Sequence, residues 1–216
     1  MSTTHVDLAF PVRGTTVPRD HAYALYGALS RAQPDLHGQA WLGVHSIPGR
    51  LKDGDLDLST GSYLRLRIPT ERIAALLPLA GATLEVHGRP VTLGAPTIHA
   101  LRPVAALDAH LVVIRLTNGV KRPFDKDEFN QRFAAEAQRQ LDRLGVKGEF
   151  ALRGRRSITV GGQRIMGHAV GVTGLTAEHS LLLQIHGLGG KRSMGCGLFR
   201  PAKLKLAIAA PESLAS

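Results

Sequence analysis

The chain has 216 residues, with 27 Lys plus Arg against 17 Asp plus Glu and a formal net charge of +10, a balance that favours a polyanionic partner such as nucleic acid or an acidic surface. The length suits one ordinary domain or two small ones, either able to bury a core. A single cysteine, Cys196, excludes an internal disulfide and a cysteine-based zinc site. No run approaches about 18 apolar residues, and the Met-Ser-Thr-Thr-His start lacks the basic and apolar regions of a signal peptide, so the expectation is a soluble, cytoplasmic protein with no membrane partner and no cofactor.

Val6, Leu8, Phe10 and Val12 alternate with other residues and predict a strand with one buried face. Asp20 is the expected cap of a helix whose apolar stripe is Ala22, Leu25, Tyr26 and Leu29, and Pro34 ends it. A second strand is expected over residues 41–47. A third, over 63–68, puts Leu64, Leu66 and Ile68 inward with Tyr63, Arg65 and Arg67 on the other face. Thr70 is the expected cap of a short helix carrying Ile73, Leu76 and Leu77, and residues 83–93 form a hairpin turning at Gly88.

The second half partly repeats this order. A strand is expected over residues 111–116, then a helix opened by Asp125 with Glu128 three residues on, its stripe Phe129, Phe133, Ala137, Leu141 and Leu144. Strands over 149–160 and 163–172 meet at Gly161-Gly162. Residues 181–185 read as a further strand, which leaves the second helix reduced to Thr176-Ala-Glu. The spacing predicts an α+β chain built of tandem ferredoxin-like (RRM-like) βαββαβ domains, residues 1–100 and 101–216, linked between 96 and 108.

Residues 187–201 place Gly187, Gly189, Gly195 and Gly197 around the pair Lys191-Arg192. Glycine lets main chain approach a ligand closely, so successive N–H groups can face one concavity beside two cations, an arrangement suited to a phosphate backbone. A P-loop would need Gly-x4-Gly-Lys-Ser/Thr opening a helix, whereas both flanks here, residues 181–185 and 203–208, read as strands.

This loop resembles the glycine-rich signature of the RAMP superfamily of CRISPR-associated proteins. Together with Ser180-Leu-Leu-Leu-Gln184, it is similar to the repeat-cleaving endoribonuclease Cas-six, Myxan subtype. Tyr23-Ala-Leu-Tyr26, Pro34-Asp-Leu-His37 and Gly43-Val-His45-Ser-Ile47 follow the order of that family, and the resemblance runs from about residue 6 to about 204. It implies the same tandem fold. It also implies cleavage of CRISPR precursor RNA within each repeat by 2′-OH attack, without a metal, leaving a 2′,3′-cyclic phosphate. Its partners would be the repeat RNA, the mature crRNA and other Cas proteins of an interference complex.

Metal-free RNA cleavage needs a base for the 2′-OH, an acid for the leaving 5′-oxygen and positive charge near the phosphate. The resemblance places the catalytic histidine at His37 and an active-site tyrosine at Tyr26, and His45 is the second candidate, to share the acid and base roles or to bind the neighbouring phosphate. The lysine that several members carry shortly after the histidine is missing before Lys52, leaving Arg50, Lys52 or a cation of the second half for that role. Lys191 and Arg192 are the expected backbone contacts, Arg153, Arg155 and Arg156 a basic patch for the repeat hairpin, and Arg65 and Arg67 beside Tyr63 a track for a single strand. Aromatic residues make up only 5% of the chain, so phosphate and shape contacts outweigh stacking. A crRNA-binding subunit that does not cut, and a general two-domain RNA-binding protein, are the alternatives. The Ala-, Pro- and Ser-rich last dozen residues are expected to fray.

Overall fold

A computed structural model of the chain describes residues 4–116 and 125–202. The first half runs β1 (His5–Arg13), β2 (Thr16–Pro18), α1 (Ala22–Ala32), β3 (Gly43–Val44), β4 (Arg50–Lys52), β5 (Asp55–Asp57), β6 (Tyr63–Pro69), α2 (Ile73–Leu76), β7 (Thr83–Val86), β8 (Arg89–Leu93) and β9 (Thr97–Ala100). The main sheet has the order β3-β6-β1-β8-β7, with β9 also against β1, and β2, β5 and β4 form a small sheet of their own. Counting β1, β3, β6 and β8 as the four strands of a βαββαβ unit, the order is 2-3-1-4, the ferredoxin-like arrangement.

The second half runs β10 (Leu107–Val112), α3 (Lys126–Arg143), β11 (Glu149–Val160), β12 (Gln163–Thr173), α4 (Ala177–His186) and β13 (Phe199–Pro201). Its sheet order, β11-β12-β10-β13, is again 2-3-1-4. The chain is therefore a tandem of ferredoxin-like units with two cores. Leu8, Phe10, Leu25, Leu29, Leu64 and Leu66 lie in the first. Phe133, Ala137, Leu141, Val170, Val172 and Phe199 lie in the second.

Several local expectations are corrected. Residues 181–185 are helix, because the Thr176 side chain accepts the His179 N–H and starts α4, and an unbroken Leu-Leu-Leu run carries no period that separates helix from strand. The second helix is thus present at full length. Asp20 does not cap α1: the cap position is His21, and the Asp20 carboxylate accepts the Thr159 N–H at 2.9 Å from the β11–β12 hairpin. The Thr70 hydroxyl reaches back to Thr4 O at 3.5 Å instead of capping, and Leu77 is exposed. The second strand shrinks to Gly43–Val44, and β10 begins at Leu107 and is bulged between Ala109 and Val112. Asp125 does cap α3, accepting from the N–H groups of Asp127 and Glu128. The alternating run 203–208 and the terminal residues lie outside the described residues.

Two further devices join the halves besides the bond from Thr159 N–H to Asp20. Arg67, 1% exposed, forks onto Asp7 through Nε at 2.8 Å and Nη2 at 3.0 Å, while its Nη1 donates to Gln184 O at 2.9 Å and Phe199 O at 2.5 Å across the seam. A third apolar cluster, Leu111, Val113, Ile158 and Cys196, takes in Ala22 from the first half. Arg67 is thus a structural clasp and not part of a strand track, since its guanidinium never reaches solvent.

Candidate nucleic-acid interface and catalytic loop

The helix α1 delivers the chain into a short 3-10 turn, Pro34–Leu36, and His37 follows it on the surface, with its N–H on Pro34 O at 2.9 Å. The Tyr26 ring, 8% exposed, stacks with the imidazole at 6.0 Å between centroids and 17° between planes. Its phenol oxygen accepts the Gly38 N–H at 2.8 Å. Gly38 has φ +73°, a conformation favourable to glycine, with open space around a would-be Cβ. Tyr26 and Gly38 together fix the histidine's direction while leaving its face open. Trp41, on the same loop, donates to Gln39 at 2.8 Å and carries the Arg72 guanidinium over its ring at 5.3 Å.

His45 sits differently. Its side chain is 12% exposed, and its Nε2 lies 4.0 Å from Asp7 Oδ1 and makes no hydrogen bond. Burial, then the Arg67 charge, push its pKa down to about 3 despite Asp7. An imidazole so held is neutral near neutral pH, with one N–H to donate as a hydrogen bond but no imidazolium proton to transfer, and is a weak base, which disfavours the acid–base role expected for it.

The glycine loop is a packing device in the second half. Gly189 N donates to Gln140 Oε1 at 2.8 Å, Gly190 N to Val113 O at 2.9 Å, and Gly197 N to Leu111 O at 2.8 Å. The N–H groups of Met194 and Cys196 both end on Lys191 O. A side chain at Gly187 would run into Gly197 O, and one at Gly197 into Leu188 O, both at positive φ. Arg192 donates to His186 O and, at 2.8 Å, to Ile185 O, so it closes the C-terminus of α4. Burial, then the Arg67 charge, lower its pKa to about 10. The concavity of free N–H groups expected of this loop is therefore filled by the protein's own carbonyls, and Arg192 is spent on a helix end. Lys191, exposed and left-handed at φ +62°, stays on the surface. Cys196 is buried and its thiol is pushed up to about 12, which makes it inert packing.

The basic surface lies beside that loop. A groove of about 700 Å³ between the halves is lined by Arg19 and Asp20 ahead of α1, by Arg155, Arg156 and Arg164 of the β11–β12 hairpin, and by His110 of β10. Arg155 lies over the Phe129 ring at 5.2 Å, and Arg164 donates to Ser157 at 2.9 Å. Arg153 faces Asp108 at 3.4 Å and opens into the adjoining cavity with Arg156. Desolvation, then Arg156, Arg200 and Arg19, hold the His110 pKa below its usual range. Sequence patterning missed Arg19, Arg164 and His110, because only folding brings the end of one strand, the start of α1 and the far strand of the hairpin together. Among the described residues no group of three His, Cys, Asp or Glu side chains is placed to hold a metal ion, and no helix is long and apolar enough to cross a membrane.

Two ferredoxin-like units clasped through Arg67, with an arginine-lined groove along their seam, define a protein of the tandem ferredoxin-like class. The family model described as Cas6 Crispr matches residues 6–204. The chain is 45% identical over 196 residues to the CRISPR-associated endonuclease Cas6 of Myxococcus xanthus (strain DK1622), covering 91% of this chain and 81% of that protein. The chain belongs to the Cas6 CRISPR family. Its fold is similar to the solved structure of a CRISPR associated protein Cas6, with a TM-score of 0.64 at 12% identity over 92% of this chain and 100% of the other. It is also similar to a RAMP protein binding different RNA substrates, with a TM-score of 0.65 at 14% identity over 90% and 98%. The structure described for a Cas6-related gene from Pyrococcus furiosus gives 0.59 at 11% identity over 91% and 98%.

Proposed function

We propose that this protein is a CRISPR repeat endoribonuclease that cuts precursor RNA within its repeats by the substrate's own 2′-hydroxyl. The 2′-oxygen bonds to the adjacent phosphorus and loses its proton to a base. The bond from phosphorus to the 5′-oxygen breaks, and that oxygen gains a proton. The products are a 2′,3′-cyclic phosphate and a 5′-hydroxyl, with no metal or cofactor in the step. The observation that carries this reading is the solvent-facing His37, stacked on Tyr26 and aimed by the Gly38 N–H bond to the phenol, in a chain of the Cas6 family. His37 is the group proposed to move a proton, and His45 is not.

In this reading residues 1–100 supply the catalytic loop. Residues 101–216 supply most of the groove, whose Arg155, Arg156 and Arg164 hold the repeat by its phosphates, with Lys191 as an added backbone contact. The same cations would hold the crRNA after the cut and present it to other Cas proteins. Single-turnover incubation of a labelled repeat with wild type and His37→Ala tests the assignment: the variant should bind as tightly and cut about 10²–10⁴-fold more slowly, the weight of a positioned acid or base. Selective repeat binding by wild type with no cut strand would favour a crRNA-holding subunit, and binding without preference for the repeat a general RNA-binding protein.

A further inference from the structure

His45, Arg65 and Arg200 meet at a cavity of about 200 Å³ on the seam, with Tyr63 and Ser46 in its walls. The cavity holds an unusual share of unused polar atoms. His45 Nε2 and Arg65 Nε are both buried and both without a hydrogen-bond partner. Arg65 reaches Asp7 only at 3.4 Å and lies 4.8 Å over the Tyr63 ring. The nearby Asp7 is already forked by Arg67. The charged groups facing His45 are Arg67, Asp7, Arg65 and Arg200, three guanidiniums against one carboxylate, which leaves two positive charges in excess. Buried donors and unbalanced charge are costly unless a ligand meets them.

The cavity also adjoins the groove, Ser46 standing in the walls of both. The groove shares His110 and Arg156 with a neighbouring cavity that Arg200 and Pro201 help to line. Those two residues also line the cavity beside His45. Arg200 and Pro201 of β13 thus stand between the cavity beside His45 and the one that borders the hairpin arginines.

We propose that this cavity is a phosphate subsite for a single RNA strand leaving the groove, in which one backbone phosphodiester is held by Arg65 and Arg200 and accepts a hydrogen bond from His45 Nε2. The inference rests on the reading that the groove binds repeat RNA. It gives His45 a binding task that a neutral imidazole can perform, since donating one N–H needs no charge.

The test uses the full chain and a repeat RNA with 2′-deoxyribose at the cut site, so that binding is read without cleavage. Arg200→Gln, an exposed change, should weaken binding about tenfold and lower the slope of log K against log salt by about 0.7, one phosphate on a single strand. His45→Gln, which keeps an N–H donor, should bind close to wild type, and His45→Phe should bind like Arg200→Gln, with circular dichroism confirming the fold of each. Stepwise shortening of the RNA from either end should reach a length at which wild type falls to the affinity of Arg200→Gln. Unchanged affinity and slope in Arg200→Gln, with Arg156→Gln weakened, would overturn the subsite while keeping the groove. If Arg156→Gln were also unchanged, the groove reading itself would fail. Titration with inorganic phosphate that shifts the His45 ring signals, alongside RNA affinity indifferent to Arg200, would reassign the cavity to a free anion and likewise overturn the proposal.

Discussion

The Tyr26 ring lies stacked with the His37 imidazole, 17° off parallel, while its hydroxyl takes the N–H of the very next residue, Gly38. One core-facing side chain therefore fixes both the plane of the histidine and the turn that follows it. A helix residue eleven positions upstream aims a surface loop.

Tyr26→Phe keeps the stack and removes the acceptor for Gly38. The expected result is a cleavage rate reduced about tenfold with RNA affinity unchanged, since misplacement of a reacting group by a fraction of an ångström is costly in rate. Tyr26→Ala, which also empties part of the core, should lower the melting temperature as well. A loss in Tyr26→Phe equal to that of His37→Ala would mean that the phenol itself takes part in proton transfer.

Much of this architecture was legible in the residues. The alternation of Val6, Leu8, Phe10 and Val12 and the stripe Phe133, Ala137 and Leu141 follow periods that the backbone enforces, and these residues are buried. Asp125 caps α3 as its spacing predicts. What failed to show was what only tertiary contact decides. Ser180-Leu-Leu-Leu-Gln184 has no alternation to mark it, and its helix is settled by Thr176 at one end and Arg192 at the other. The glycines at 187, 189, 195 and 197 read as letting the main chain approach a ligand, whereas 187, 189 and 197 approach carbonyl oxygens of the protein itself. The partner they approach includes the carbonyl of Val113 and those of the loop itself.

The two cations of that loop should separate cleanly. Arg192→Ala removes the donors on Ile185 O and His186 O and should cost about 2 kcal/mol, the scale of charge-assisted hydrogen bonds, seen as a melting temperature lower by roughly 4–8 °C. Lys191→Ala should leave the melting temperature alone and lower the salt slope of RNA binding by about 0.7. Equal effects of both changes on RNA binding, with no change in stability, would restore a phosphate-binding role to Arg192. Gly197→Ala should destabilise more than either, because its Cβ would meet the Leu188 carbonyl.

Acid should loosen the seam early. His45 has a folded pKa of about 3, below its usual value of 6.5, so the unfolded chain binds a proton that the folded chain refuses as pH falls through that interval. The stability contributed by neutral burial is complete above about pH 6.5 and is lost progressively towards pH 3. Asp7, held below the usual carboxylate range by Arg67 against the opposing effect of burial, adds a second loss at lower pH as it protonates and releases the clasp. Urea unfolding from pH 8 to pH 4 should show stability declining from near pH 6.5, with a shallower decline in His45→Gln. His5, His21, His110 and His168 are also lowered by burial and will keep some slope. Identical pH profiles for wild type and His45→Gln would show that His45 is solvated in the folded protein.

The chemistry has its own test, independent of which side chains carry it. If the attacking group is the ribose hydroxyl next to the scissile phosphate, then that one oxygen is indispensable and every other ribose is not. A repeat with deoxyribose at the single position 5′ to the cut should bind within about twofold of the all-ribose repeat, since one hydroxyl contributes a single hydrogen bond of about 0.5 kcal/mol at the low end of the usual range. It should show no cut strand under conditions where the all-ribose repeat is fully cleaved. The cleaved all-ribose product should resist 3′-end ligation until acid opens its cyclic phosphate and a phosphatase removes the resulting monoester, and excess EDTA should leave the rate unchanged. Efficient cutting of the deoxy-substituted repeat would require water as nucleophile. A rate abolished by EDTA and restored by magnesium would require a metal to activate it. Either result would remove His37 from the centre of the reaction, because its placement on an open loop, buttressed by Tyr26, suits proton transfer to and from a substrate that brings its own nucleophile.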